Sequence, residues 1–538
     1  IKKEWYDNEK FINERFKNRG EYLVKKDVLL SHDLGTTGNK ASLYDLDGRF
    51  IKSYYYPYET LYPRPGWTEQ RPEDWWNAFI ISTKQVLASS NIQPQQVAGL
   101  SFSGQMMAAI PVNQKGEVLQ KNVMIWADHR SHSQGEYIKK TIGWEKFYYL
   151  TGSGMEIPLY PIAKILWLKE NETDVYKKTY KFLGVKDVLI NRLTGRFVTD
   201  FSEASNTGMF DLKDRKWARD LIQELGIDLE KLVDEILPSQ TVVGKINKEA
   251  SKATGLLEGT PIVLGGGDVA CAALGAGVIE EGLVYNYIGS ASWFATASSR
   301  PLFNTTMRPF SLCHVVPDMY VVQLAMFSGG IVYEWVRDQI CKFECEKAKS
   351  TSRNPYELMD ELAASSPPGS NGIIFLPDLR PGGAPHNNLN AKGAFVGLTL
   401  SHKRGDLLRS VLEGITFNIR LMCDAMEEAI GFPFQEVRMI GGGSNSRLWR
   451  EIEANVLNKV VVILSAQQEA NSLGAVIIAG CGLGAFQNFR QATEVFIKVK
   501  ENIKPNWKIA AEYTKFLSLF NNAYQALVPV NDQLSSLA

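Results

Sequence analysis

The sequence predicts an α/β protein built as two similar lobes around a cleft, and three observations predict it. At 538 residues the chain is too long for one hydrophobic core, so two domains, or three, are expected. The run Pro261-Ile262-Val263-Leu264 has the residues of a buried strand and passes into Gly265-Gly266-Gly267-Asp268. It continues as Ala270 to Gly275, small and apolar, as suits a helix packed tightly on a sheet. One plan (hairpin turn of small residues, helices, strand into glycines) occurs in both halves of the chain, which reads as an internal duplication. A strand that ends in glycines leaves room for a ligand beside the backbone. An acid at its carboxyl end stands where open α/β sheets bind ligands, although Asp268 would also serve as a helix cap.

Composition narrows the class. Apolar residues at 45% and charged residues at 22% are those of an ordinary globular chain. Lys+Arg and Asp+Glu balance at 59 each, which argues against nucleic acid or an anionic membrane as partner. No apolar run approaches the length that spans a bilayer. Residues 1–27 read as a charged, aromatic extension without the apolar core of a signal peptide, and a cytoplasmic location is expected. Cys271, Cys313, Cys341, Cys345, Cys423 and Cys481 are scattered with no second cluster or nearby histidine to complete a zinc site, and they read as reduced thiols.

The elements follow in order. Val28 to Leu34 is an apolar strand entering the turn Gly35-Thr36-Thr37-Gly38; a second strand, Ala41 to Leu46, leaves it, and Asp47-Gly48 turns the chain into a third, Phe50 to Tyr58. Backbone N–H groups and the hydroxyls of Thr36 and Thr37 could donate to phosphate oxygens in that first turn, while Asp33 could hold a hydrated magnesium. It is not a Walker A loop, because no Gly-Lys-Ser/Thr follows at the required spacing. A helix starts at Arg71-Pro72-Glu73-Asp74, where proline and acids suit a first turn. Val97 to Phe102 reads as a strand ending in Ser103-Gly104-Gln105-Met106-Met107. Trp126, Asp128 and Arg130 leave a further strand and could line a polyol site, the bland alternative being a surface ion pair beside a buried tryptophan. Ile162 to Asn171 is an amphipathic helix, and Asp200 to Leu212 a polar loop. In the second half, Leu283 to Ala295 is again strand, small polar turn and strand; residues 365–393 form a long ordered loop; Arg404 to Ala429 is a long helix; and the strand Glu436 to Ile440 runs into Gly441-Gly442-Gly443-Ser444. Two small-residue turns of this kind suggest a nucleotide held between similar lobes.

These residues resemble the FGGY family of carbohydrate kinases over nearly the whole chain from about residue 28. The family's C-terminal signature is matched by Gly393-Ala394-Phe395-Val396-Gly397-Leu398, Asp406-Leu407 and Ser410-Val411-Leu412-Glu413. Its N-terminal signature is nearly matched by Pro161, Lys164, Ile165, Trp167, Leu168, Glu170 and Asn171, with a departure at Leu159. Asp33 to Thr37 looks like the first phosphate loop, Ile288 to Ser292 like the second, and Gly441 to Ser444 like the adenosine loop. The resemblance implies two ribonuclease H-like domains of the actin, hexokinase and sugar kinase superfamily with a deep interdomain cleft. The expected divisions are an extension at 1–27, a sugar-binding domain at 28–281 and a nucleotide-binding domain at 282–538.

It also implies transfer of the γ-phosphoryl group of ATP, with Mg2+, to a hydroxyl of an open-chain sugar or polyol. Asp268 would be the catalytic base and Asp33 would stand at the metal. Gln105, Met106, Met107, Trp126, Asp128 and Asp268 would meet the sugar; Thr36, Thr37, Lys40, Gly289, Ser290, Gly442, Gly443 and Ser446 would meet ATP. D-Xylulose is the leading acceptor, with gluconate, a ribulose, erythritol or a related polyol as alternatives. Two positions depart from the xylulose kinase pattern: Met107 replaces histidine and Val269 replaces asparagine. Trp126-Ala127-Asp128 looks closer to gluconate-type members. The chain allows assembly as a homodimer. The rival readings are an actin-like ATPase and a non-catalytic sugar sensor; retention of both Asp33 and Asp268 argues against a sensor, which needs neither.

Overall fold

The structure, a computed structural model, describes residues 26–466 and 469–537. The expected extension therefore lies, apart from its last two residues, outside the described residues.

The first sheet grows from β1 (Val28–Leu34), apolar and buried on both faces as a central strand must be. It pairs antiparallel with β2 (Gly38–Asp45), which pairs with β3 (Phe50–Pro57). The turn between β2 and β3 closes at Gly48, whose φ of 84° is open to glycine without strain. Helix α1 (Pro72–Ser90) starts on a proline with acids in its first turn and crosses to β4 (Val97–Gly104), which lies parallel to β1. Beyond come α2 (Pro161–Asn171), α3 (Phe201–Ser205), the edge strand β5 (Val242–Lys245) and β6 (Pro261–Val263). Strand β6 runs parallel to β4, and the two residues Gly266–Gly267 extend that pairing before α4 (Asp268–Gly275) begins. The order is β5-β6-β4-β1-β2-β3.

The second sheet repeats the plan. Strand β7 (Val284–Ile288) pairs antiparallel with β8 (Ser292–Ser298), and β9 (Phe310–Cys313) and β10 (Tyr320–Met326) extend that side. The long α5 (Arg404–Ile430) leads to β11 (Glu436–Ile440), parallel to β7; α6 (Arg447–Leu457) leads to β12 (Val460–Leu464), parallel to β11. Helix α7 (Ala470–Gly482) follows, and β13 (Val499–Ile503) closes the edge. The two central strands, β1 and β7, thus have the same neighbours in the same sense, which is the duplication the sequence suggests.

Helices α4 and α7 occupy equivalent places and cross each other where the lobes meet. A Cβ on Gly275 would strike the carbonyl of Ala470, and one on Gly474 that of Cys271, so the backbones touch. Helix α7 also lies against β1 and β4 of the first sheet. One apolar cluster consequently runs from Leu29 and Val263 through α4 and α7 to Val462 and Leu464.

The segment expected as a polar loop, Asp200 to Leu212, differs. It opens as α3, and Asp200, Ser202, Glu203 and Ser205 are all buried. Ser202 and Ser205 are satisfied within the segment, Ser202 by Asp200 and Ser205 by the Ser202 carbonyl, while Glu203 Oε2 is buried without a partner; the Asp200 carboxylate caps the helix by accepting from Ser202 N at 2.9 Å. Composition signalled polarity but not its burial.

Candidate active site

The floor of the cleft is made by the ends of β1, β4 and β6. Asp268 is the first helical residue of α4, half-buried, with Oδ1 accepting from Val269 N at 2.8 Å. Burial, and then the charge of Asp33, push its carboxyl up to about 7. Tyr285 and Tyr287 of the second lobe lie close enough to feel its charge. Asp33 is half-buried on β1, and burial raises it while hydrogen bonds from Ser103 and Asn471 and the charge of Lys40 oppose the rise. Asn471, at the start of α7, donates to Asp33 Oδ1 at 3.3 Å. Lys40 on β2 pairs with Glu469 Oε1 at 3.2 Å. Two side chains of the second lobe therefore reach two residues of the first across a cavity of about 300 Å³ lined also by Tyr287, Gly441 and Gly442.

Gly442 is shared with a larger cavity of about 430 Å³. Gly289, Ser290, Gly442, Gly443 and Ser446, expected at the nucleotide, all line it, together with Tyr333, Asn354, Asp360 and Trp449. Ser446 has a structural task as well: it caps α6, accepting from Trp449 N at 3.0 Å. Thr36 and Thr37 sit on the β1–β2 turn, but each hydroxyl already accepts a bond, from Trp126 Nε1 at 2.9 Å and from the Tyr55 hydroxyl at 2.9 Å.

The residues expected at the sugar divide. Trp126 meets the floor directly at the Thr36 hydroxyl, and Gln105 meets it through Gln70, which the sequence reading missed: Gln105 Nε2 donates to Gln70 Oε1 at 2.8 Å, and Gln70 Nε2 donates to the Thr36 carbonyl at 2.6 Å. Gln105 Oε1 is buried without a partner, so it has an acceptor to offer. Met106 and Met107 are buried. Met106 packs against Gly267, and Met107 has a φ of 63°, which an unbranched non-glycine residue holds only when the surroundings impose it. The constraint is Lys164, fully buried on α2, which donates to the carbonyls of Met107 and Ile125 at 2.7 Å each. Burial pushes its ammonium down to about 7.

Asp128 corrects the sequence reading. It is 0% exposed, and its oxygens accept from Thr68 N at 2.6 Å, Arg130 N at 3.0 Å and the Arg130 guanidinium at 2.7–3.0 Å. Arg130 lies over the Trp67 ring at 3.6 Å and also pairs with Glu69. Desolvated acid and base are matched to each other, so Asp128 braces the loop behind the site and offers no oxygen to a ligand. Spacing of Trp126, Asp128 and Arg130 showed the pair but not which way it faced.

A glycine-edged floor carrying two raised carboxylates, roofed by a duplicate lobe with a glycine-lined cavity, defines a two-lobed phosphotransferase. Residues 28–275 match the N-terminal domain, and residues 284–483 the C-terminal domain, of the FGGY family of carbohydrate kinases; the chain belongs to that family and is an ATP-dependent sugar kinase. It is 30% identical over 500 residues to a xylulose kinase of Staphylococcus epidermidis, covering 93% of this chain and 97% of that one. A gluconokinase of Bacillus licheniformis is 29% identical over 500 residues, covering 93% and 96%. The crystal structure of ligand-bound xylulose kinase from Lactobacillus acidophilus is similar with a TM-score of 0.85 at 28% identity, covering 94% of this chain and 99% of that one. Among the described residues no helix is long and apolar enough to cross a membrane.

Proposed function

We propose that this sugar kinase phosphorylates D-xylulose, with Asp268 accepting the proton of the attacking hydroxyl. The observation that carries the role of Asp268 is its setting: Val269 N holds one oxygen, the other is left for a hydroxyl, and a carboxyl near 7 is matched to proton transfer at neutral pH. Phosphoryl transfer asks for in-line positioning, charge neutralisation and little else. Gly289, Ser290 and the Thr36–Thr37 turn would share the phosphate charge, with Lys40 released from Glu469 to join them. The oxygens at Asp33 suit magnesium, because Glu469 Oε2 is buried there without a partner. No group of three or more His, Cys, Asp or Glu side chains is gathered to hold a metal among the described residues, so Asp33 and Glu469 would hold the ion through its waters. Bound Mg2+ would supply charge neutralisation of the phosphates. Closure of the lobes excludes water, which would otherwise compete with the sugar hydroxyl.

Xylulose rests on the Ser103-Gly104-Gln105-Met106 loop, whose Gln105 retains a free acceptor, and on the xylulose kinase relatives. Gluconate is the second reading, and a specific observation favours it. Exposed His129 lies beside the buried Asp128–Arg130 pair, close enough to Arg380 of the second lobe for that charge to lower its imidazole after burial has done so. The Arg380 guanidinium, with neutral His129 as a hydrogen-bonding neighbour, would suit a carboxylate on the acceptor. The test is sugar-dependent ADP release across pentuloses, aldonates and polyols. Highest kcat/KM on D-xylulose supports the first reading; highest on gluconate replaces it with the second.

A further inference from the structure

We propose that the Asp200 carboxylate, acting through Ser202, is a positioning group that clamps the three glycines before Asp268. The inference rests on Asp268 being the base. Three consecutive glycines have more backbone freedom than any other tripeptide, so an acid carried on their end needs fixing from outside. Gly265 N donates to the Ser239 carbonyl at 3.0 Å, and Gly267 N donates to Ser202 Oγ at 2.9 Å. Both serines then turn their hydroxyls to one atom: Ser202 Oγ and Ser239 Oγ donate to Asp200 Oδ2 at 2.5 and 3.0 Å. Asp200 Oδ1 faces Lys186 Nζ at 2.9 Å, and Lys186 also pairs with Asp187 at 2.5 Å. The stem of Lys186 lies against Gly104, at the end of the strand that carries Gln105.

Asp200, Ser202, Ser239 and Lys186 are all buried, with Ser202 and Asp200 fully enclosed. None of them faces the cleft, so they touch neither sugar nor nucleotide. Both ends of the glycine run are thus tied to one desolvated carboxylate, where an O–H···O⁻ bond is stronger than a neutral one. Ser202 is the last link: its hydroxyl gives a proton to Asp200 while its lone pair receives the Gly267 N–H. Without it the peptide that leads into Asp268 has an unmade bond and a free torsion, and a catalytic group displaced by about 1 Å loses on the order of a hundredfold in rate.

The test is Ser202→Ala and Ser202→Thr in the full chain, with kcat and both KM values measured on the best acceptor and ATP binding measured directly. Ser202→Ala is expected to lower kcat ten- to a hundredfold with both KM values within twofold, and Ser202→Thr, which keeps the hydroxyl, to restore kcat to within threefold. If Ser202→Ala does not fold, as shown by loss of ATP binding, Ser202→Cys carries the same test, since it keeps the volume with a poorer partner. A kcat within twofold of wild type in the folded variant overturns the proposal, as does an equal loss in Ser202→Thr. Asp268→Asn separates the two readings: if it abolishes turnover while Ser202→Ala does not, only the clamp is wrong; if it stays active, the base assignment itself falls.

Discussion

At the scale of single residues, the acids of this protein are legible in sequence as identities but not as environments. Asp268 and Asp33 stood out because glycines surround them; that Asp128 is sealed against Arg130, and that Gln70 ties Gln105 to Thr36, depended on neighbours far away in the chain. Asp268→Asn is expected to remove sugar-dependent turnover by more than a hundredfold while ATP binding stays within threefold, because the amide cannot take the hydroxyl proton but fills the same space. Retention of turnover within about tenfold, some 1.4 kcal/mol of barrier, would exclude it as base. Glu453 makes a different prediction. It is fully buried on α6, accepts from Asn286 Nδ2 at 2.9 Å, and burial pushes its carboxyl up to about 8 from an ordinary 4.5. Between those values the fold keeps a proton that the unfolded chain releases, so its contribution to stability falls as pH rises from about 4.5 to about 8, by up to about 1.4 kcal/mol per unit. Glu453→Gln cannot titrate, so its Tm relative to wild type should climb between pH 5 and about 8 and then level off. A Tm difference that is flat with pH would mean that Glu453 is ionised in the fold.

At the scale of elements, most of the architecture could be read. The strand Glu436–Ile440 and the long helix from Arg404 appear where periodicity put them, because each is a long, one-sided or fully apolar pattern with clear ends. The short α3 could not be read, since five residues, three of them the buried polar Ser202, Glu203 and Ser205, are too few to carry a period. The glycines before α6 are a case where sequence and packing agree. An added Cβ at Gly443 would come within 2.6 Å of the Ile288 side chain, on the strand that leads into Gly289 and Ser290. Gly443→Val should therefore displace both the adenosine loop and the second phosphate loop, raising the KM for ATP about tenfold or more with little change in the KM for the sugar. An unchanged KM for ATP in the folded variant would make this turn structural only.

At the scale of the whole molecule, the duplication was visible in the two hairpin turns, but the exchange of cover between lobes was not. Nothing in the apolar run Ala470 to Gly482 says that it will lie on β1 and β4, strands more than 350 residues earlier. Because that helix closes one face of the first sheet, the full chain should unfold in a single transition, and residues 28–281 alone should bind a hydrophobic dye and lack a cooperative melt. A sharp transition in that fragment would show the first lobe to be self-sufficient. The same crossing has a consequence during synthesis. A ribosome finishes β6 roughly 200 residues before it reaches the end of α7, a delay of about ten to forty seconds at ordinary elongation rates. Throughout that interval the nascent first lobe presents one unroofed apolar face, so a message truncated before Ala470 encodes a chain with every first-lobe strand and one face of their sheet left bare.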